Sequence, residues 1–163
     1  MNAPFLTLAL PDATATDRLG ATLAPHLGAG DTVLLDGQIG AGKTHFARAL
    51  IQSRLAALGR IEDVPSPTFT LVQVYDGSPE IWHSDLYRLG HPDDVLELGL
   101  EDAFDEAICL VEWPDRLGDL APDAALLMQF SLSEQGAARS VAFSGPAKWQ
   151  ERLQKILTQE GWI

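Results

Sequence analysis

Apolar residues in this chain occur both as short continuous runs and as runs with helical spacing. The segment 32–36 (TVLLD) is short, apolar and β-branched, which is typical of a buried strand. A glycine-rich stretch follows at 37–42. After it, apolar residues recur every three or four positions, as on one face of a helix: Phe46, Ala47, Leu50, Ile51 and Leu55. The pattern therefore predicts a strand, a glycine loop and a helix in direct succession.

The same reasoning applies to the rest of the chain. Continuous or β-branched apolar runs predict strands at 5–10, 69–75, 81–86, 107–111, 124–132 and 139–143. Helical spacing predicts helices at about 12–27, 43–58 and 146–157, with one or two short acidic helices within 91–106. The last two strands are expected to pair as an antiparallel hairpin across Gly136.

The length of 163 residues fits one domain with a single sizeable core. Alternating strands and helices favour an α/β fold. The octapeptide GQIGAGKT at 37–44, between the strand 32–36 and the next helix, makes it one of the P-loop NTPase type. We expect residues 1–163 to form this single domain. Its central sheet should be mixed and mostly parallel, flanked by helices, with the antiparallel hairpin at the C-terminal end.

The glycine stretch belongs to the octapeptide GQIGAGKT at 37–44, which fits the phosphate-binding P-loop (Walker A) pattern. Glycines such as Gly37, Gly40 and Gly42 let backbone N–H groups converge on an anion, and the helix that follows directs its positive end there. Lys43 would then supply a charge for the β- and γ-phosphates, and the Thr44 hydroxyl a ligand for Mg²⁺. The alternative is a glycine turn followed by a surface lysine.

Two predicted strands end in carboxylates. Glu112 follows the run 107–111, and ligands of open α/β sheets collect at the carboxyl ends of strands, so Glu112 is a candidate Mg²⁺ ligand. Asp85 could orient or deprotonate an attacking water, with His83 supporting it from the same face of the strand. Structural roles are the alternatives: a solvated carboxylate at 112, a cap or turn aspartate at 85 and a half-buried histidine at 83.

Three further residues could have either a functional or a purely structural role. Ser66 and Thr68 lie in a loop where a switch-like segment could sense a γ-phosphate, although ordinary loop polarity explains them nearly as well. Trp113 is either a core aromatic or a lid near the nucleotide.

The net charge of −12 limits the choice of partners. The 11 Lys and Arg residues are dispersed, with no two adjacent, whereas tight nucleic-acid binding needs clustered basic residues. Direct, tight RNA or DNA binding is therefore not expected, and an acidic surface fits a protein partner with a basic face. The single cysteine, Cys109, lies in an apolar run and is expected in the core. With no membrane-length apolar run and no signal-peptide pattern, a cytoplasmic protein is expected.

Several motifs together resemble those of one family, TsaE (also called YjeE). In order along the chain they are GQIGAGKT (37–44), SPTFTLV (66–72), HSDLYRL (83–89), LGLED (98–102) and VEWPDRL (111–117). The resemblance covers roughly residues 12–143. It implies a small P-loop ATPase, dependent on ATP and Mg²⁺, that is needed to make N6-threonylcarbamoyladenosine at position 37 of tRNA. It also implies action through a TsaB–TsaD protein complex rather than direct binding to tRNA.

The resemblance also implies roles for particular residues. Residues 40–45 (Gly40, Ala41, Gly42, Lys43, Thr44 and His45) would hold the phosphates, with Thr44 and Glu112 on Mg²⁺. Asp85 would belong to a second switch-like motif and 66–70 to a first. Thr16 and Arg139 match positions that contact ATP in relatives. The chain departs from the family at Gln38, usually acidic, and at His45, usually Thr or Ser.

Other functions with a P-loop are a small-molecule kinase and a nucleotide-dependent adaptor with little turnover. No arginine-rich lid segment is evident for a kinase, because Arg48, Arg54 and Arg60 lie on or just after the predicted P-loop helix. A GTPase is disfavoured because the guanine-reading motif [NT]-K-x-D is absent from the sequence.

Overall fold

The computed structural model describes residues 3–133 and 138–163. The strands are β1 (Leu6–Leu10), β2 (Thr32–Asp36), β3 (Val72–Tyr75), β4 (Ile81–Asp85), β5 (Ile108–Glu112), β6 (Leu126–Leu132) and β7 (Arg139–Ser144). The helices are α1 (Ala13–Leu23), α2 (Lys43–Ala57), α3 (Asp94–Glu97), α4 (Leu100–Glu106) and α5 (Ala147–Gln159), with 3-10 helices at Ala24–His26 and Pro114–Leu120.

The seven strands form one mixed sheet in the order β1-β7-β6-β2-β5-β4-β3. Three neighbouring pairs in the described ranges are parallel, namely β2–β5, β2–β6 and β4–β5. The other three are antiparallel: β1–β7, β3–β4 and β6–β7. The expectation of a mostly parallel sheet is therefore wrong, because two hairpins and an antiparallel edge strand flank the parallel centre.

Each face of the sheet has its own apolar core. Ile108 and Leu110 of β5 face the larger core, to which α1, α2 and α5 contribute, while Cys109 and Val111 face a smaller core with α3, α4 and the 3-10 helix at Pro114–Leu120. Burial raises the pKa of the Cys109 thiol to about 12, which fits a core residue. Because side chains alternate along β5, Glu112 points to the same face as α2.

Helix boundaries agree with the local signals in the sequence. Asp12 caps α1 by accepting a hydrogen bond from the N–H of Ala15 at 2.8 Å. Gly99, in the left-handed conformation at φ 81°, separates α3 from α4 within the acidic segment 91–106. No helix in the described ranges is both long and apolar enough to cross a membrane.

Of the local predictions, one needs correction and one falls partly outside the described part, and one further element was not predicted. The strand expected at 69–75 begins only at Val72, because 67–70 form turns and Leu71 has φ 67° with its N–H bonded to the Pro67 carbonyl. The 3-10 helix after Pro114 was not predicted. The antiparallel pairing of β6 with β7 is confirmed, but Gly136 lies outside the described residues.

Candidate functional site

The loop between β2 and α2 has a backbone that only glycine adopts readily. Gly37 has φ 140°, and a Cβ there would lie 2.6 Å from the Phe130 carbonyl oxygen. Gly42 has φ 111° and occupies the N-cap position of α2. The 15 residues of α2 therefore begin at the loop, with the positive end of the helix directed toward it.

The Lys43 side chain is held inside this loop. Its ammonium donates to the Gly37 carbonyl oxygen at 2.5 Å and lies 3.4 Å from the centre of the Trp113 ring. Lys43 is only 4% exposed. This burial lowers its pKa, while the negative charges of Glu112 and then Asp36 oppose the shift.

Glu112 is a buried carboxylate with both oxygens in hydrogen bonds. Its Oε1 accepts from the Thr44 hydroxyl at 2.6 Å, and its Oε2 lies 2.6 Å from Nε2 of His83. Glu112 is 1% exposed and His83 is fully buried. The structure thus places His83 against Glu112, whereas spacing along the strand suggested a role in supporting Asp85.

Asp85 is directed toward a different loop. Its Oδ2 accepts from the Thr68 hydroxyl at 3.1 Å, and its Oδ1 accepts from the N–H of Tyr87 at 3.0 Å. The Thr68 hydroxyl also lies 2.7 Å from that of Ser66. Asp85 thereby connects the end of β4 to the polar loop that precedes β3.

The predicted residues border one pocket of about 440 Å³ at the carboxyl ends of β2, β4 and β5. Nine of the predicted site residues line it: Thr16, Gly40, Gly42, Lys43, Thr44, His45, Asp85, Glu112 and Arg139. Gly37 and Ala41 do not line it. Gly37 is the first residue of the loop, and its carbonyl oxygen accepts a hydrogen bond from Lys43. Ala41 is buried in the larger core, and its N–H donates to the Gln38 carbonyl.

Three residues transferred from the resemblance line this pocket, namely Arg139, His45 and Thr16. Arg139, the first residue of β7, donates from Nη2 to the Gly40 carbonyl at 3.0 Å. Nε2 of His45 lies 2.7 Å from Oδ1 of Asp17, and both side chains are partly exposed. Thr16 is buried on α1, and its hydroxyl has no hydrogen-bond partner within the described ranges.

The pocket lining also includes Thr68 and Trp113, which the sequence left open, and three residues that the sequence did not mark. Ala13, Ile39 and Tyr87 border the pocket, and Trp113 does so as well, which favours the nucleotide-side alternative for that residue over a purely core role. The Tyr87 and Trp113 rings are in contact, with centres 4.8 Å apart. The position of Tyr87, two residues after the candidate Asp85, could have marked it as a residue near the site. Ala13 and Ile39 have no such mark in the sequence, because their side chains carry no reactive or polar group.

The oxygen ligands suit a small hard cation. Thr44 and Glu112 bring a hydroxyl and a carboxylate oxygen within 2.6 Å of each other, and Mg²⁺ prefers oxygen ligands. The described residues contain no group of three or more His, Cys, Asp or Glu side chains arranged to hold a metal ion. A Mg²⁺ ion here would therefore rely on these two side chains together with phosphate oxygens and water.

Comparison with known proteins agrees with the motifs. The family model "Threonylcarbamoyl adenosine biosynthesis protein TsaE" matches residues 10–141. Proteins named "tRNA threonylcarbamoyladenosine biosynthesis protein TsaE" are similar to this chain in Rickettsia felis (41% identity; 66% of this chain, 62% of the relative), Haemophilus influenzae (35%; 76% and 80%) and Synechocystis (38%; 74% and 77%).

The extent of these matches varies between relatives. The chain spans less than two thirds of the length of the Rickettsia felis and Rickettsia conorii proteins, at 62% and 56%. Among solved structures, that of Bacillus subtilis YdiB is similar, with a TM-score of 0.77, 23% identity and 95% coverage of both chains, which supports the α/β fold alone. On the family match and these relatives, the chain belongs to the TsaE family of threonylcarbamoyl adenosine biosynthesis proteins.

Proposed function

We propose that this protein is a Mg²⁺-dependent P-loop ATPase that works in the synthesis of threonylcarbamoyladenosine in tRNA. The observation that carries the proposal is the hydrogen bond of 2.6 Å from the Thr44 hydroxyl to the Glu112 carboxylate. This bond lies at the start of α2, in the pocket that the buried ammonium of Lys43 also lines. A hydroxyl, a carboxylate and a lysine in this arrangement match the parts that P-loop NTPases use on Mg²⁺ and the β- and γ-phosphates.

Each group then has a role that follows from its position. The loop amides and the N-terminus of α2 bind phosphate oxygens, and Lys43 neutralises their charge once its ammonium leaves the Gly37 carbonyl. Thr44 and Glu112 would hold Mg²⁺, which would supply charge stabilisation for the phosphates. Asp85 orients the attacking water, since its carboxylate lines the same pocket. Thr16 and Arg139 border the remaining part of the pocket and contact ATP.

The partner is proposed to be the TsaB–TsaD complex. Family membership supports partners within the threonylcarbamoyladenosine machinery. A net charge of −12 without clustered basic residues supports a protein partner over direct tight binding to tRNA. In this scheme, ATP binding or hydrolysis changes the pocket rim, and the partner responds to that change. The Ser66–Thr68–Asp85 hydrogen bonds connect the loop before β3 to the pocket lining, and in this proposal that loop responds to the γ-phosphate.

The test is phosphate release from ATP by the purified protein, alone and with the TsaB–TsaD pair. The proposal predicts slow release alone and faster release with the pair. A Thr44→Ala preparation controls for contaminating ATPases, because it removes the proposed Mg²⁺ hydroxyl. Formation of ADP that requires a small acceptor, yields the phosphorylated acceptor and releases no free phosphate would instead indicate a kinase. Nucleotide-dependent binding to the pair without release would indicate an adaptor.

A further inference from the structure

The most buried polar contact of the site joins His83 to Glu112. Neither side chain has meaningful solvent exposure, at 0% and 1%, and the two atoms lie 2.6 Å apart. His83 is fully buried and is not among the residues that line the pocket. Its effect on the site must therefore pass through Glu112.

The sheet register explains why this histidine reaches that carboxylate. In the parallel pair β4–β5, Asp85 lies opposite Glu112 and His83 lies opposite Leu110. All of these side chains point to the α2 face, because His83 precedes Asp85 by two positions and Leu110 precedes Glu112 by two. The imidazole thus extends diagonally across the pair, to the carboxylate two positions beyond its register partner on β5.

The same register creates an electrostatic difficulty. Asp85 and Glu112 are direct neighbours on one face, and adjacent like charges destabilise a sheet. Their hydrogen bonds direct them apart: Thr68 and the Tyr87 N–H hold Asp85, while His83 and Thr44 hold Glu112. A buried carboxylate also needs its oxygens satisfied, since an unpaired one is costly.

We infer that His83 is a positioning residue for the proposed Mg²⁺ site. Its Nε2–H donates to Oε2 of Glu112, which fixes the carboxylate so that Oε1 faces Thr44. This inference rests on the proposed function. Partners of metal-binding carboxylates commonly change metal affinity by about 10- to 100-fold when they are removed. Nδ1 has no hydrogen-bond partner within the described ranges, so the contact with Glu112 is the polar contact that the ring makes there.

Two amide substitutions at position 83 distinguish a side chain that positions Glu112 by a hydrogen bond from one that only fills space. In His83→Gln, the longer side chain can place its amide N–H where Nε2 stood. In His83→Asn, the amide is too short to reach Glu112. Both are uncharged amides in the same buried position. ATP affinity is measured for each variant and the wild type in EDTA and over a series of Mg²⁺ concentrations, so that the readout is binding and not turnover.

ATP affinity should increase with Mg²⁺ concentration. The inference predicts that His83→Asn raises, by about tenfold or more, the Mg²⁺ concentration at which this increase is half-maximal. His83→Gln should remain within about threefold of the wild type, since it restores the donor. ATP affinity in EDTA should be the same in all three, because the loop and Lys43 are untouched. If His83→Asn does not fold, His83→Leu takes its place, as it fills similar volume without a donor.

Other results would overturn the inference. An unaltered Mg²⁺ response in His83→Asn would do so, and so would an equal loss in the Gln and Asn variants, because the hydrogen bond would then not be the cause. A wild type whose ATP affinity ignores Mg²⁺ would refute the proposed function as well. That outcome is recognised from the wild type alone, before any variant is compared.

Discussion

Replacing Gly37 with alanine tests the geometry of the glycine-rich loop between β2 and α2. At φ 140°, an L-residue is strained, which costs on the order of 1–3 kcal/mol. The new Cβ would also lie 2.6 Å from the Phe130 carbonyl oxygen, and overpacking of this kind costs a further 1–3 kcal/mol. Phe130 belongs to β6, which pairs with β2 on one side and β7 on the other, so its backbone cannot shift easily.

We therefore expect Gly37→Ala to lower the free energy of unfolding by about 2–6 kcal/mol, measured by urea denaturation followed by tryptophan fluorescence. Two other glycines provide matched controls. Gly40 has φ 82° but nothing within 4 Å of a new Cβ, so Gly40→Ala should cost only about 1–2 kcal/mol. Gly28 has neither restriction, so Gly28→Ala should be close to neutral. Equal losses at 37 and 40 would refute the close approach to Phe130.

Two further predictions concern the charged groups of the site. Glu112→Gln removes the carboxylate charge while keeping its shape, and should raise the Mg²⁺ concentration needed for ATP turnover by about tenfold or more; an unaltered Mg²⁺ titration would exclude Glu112 from the metal site. Because burial lowers the pKa of Lys43 below the ordinary 10.5, its charge is lost at lower pH than for a free lysine, and ATP affinity should decline as the pH rises toward that value. Lys43→Arg, which stays charged, should show no such decline; a flat wild-type profile would contradict the assignment.

Most elements of the fold could be predicted because their signals are local. The strand before the P-loop, the helix after it and the capping Asp12 follow from residues close together in sequence. The balance of parallel and antiparallel pairs did not follow, because it depends on which distant strands become neighbours. At Leu71, β-favouring neighbours suggested a strand, but the turn from Pro67 prevailed.

The residues of the site also differ in how far the sequence could predict them. Lys43, Thr44, Asp85 and Glu112 could be identified because a motif or a strand end marks them, and the structure brings all four to one pocket. The partner of His83 could not be identified, because it depends on the register of β4 against β5. Spacing along one strand favoured Asp85, whereas the diagonal contact across two strands leads to Glu112.

The central claim is that the pocket at Lys43 binds ATP. Calorimetric titration of ATP in the presence of Mg²⁺, with the wild type and Lys43→Ala side by side, tests it most directly. The account predicts measurable binding by the wild type and at least about tenfold weaker binding by the variant, since a charge-assisted phosphate contact contributes about 1.5–3 kcal/mol. Equal affinities for the two proteins, or no binding by the wild type, would contradict it.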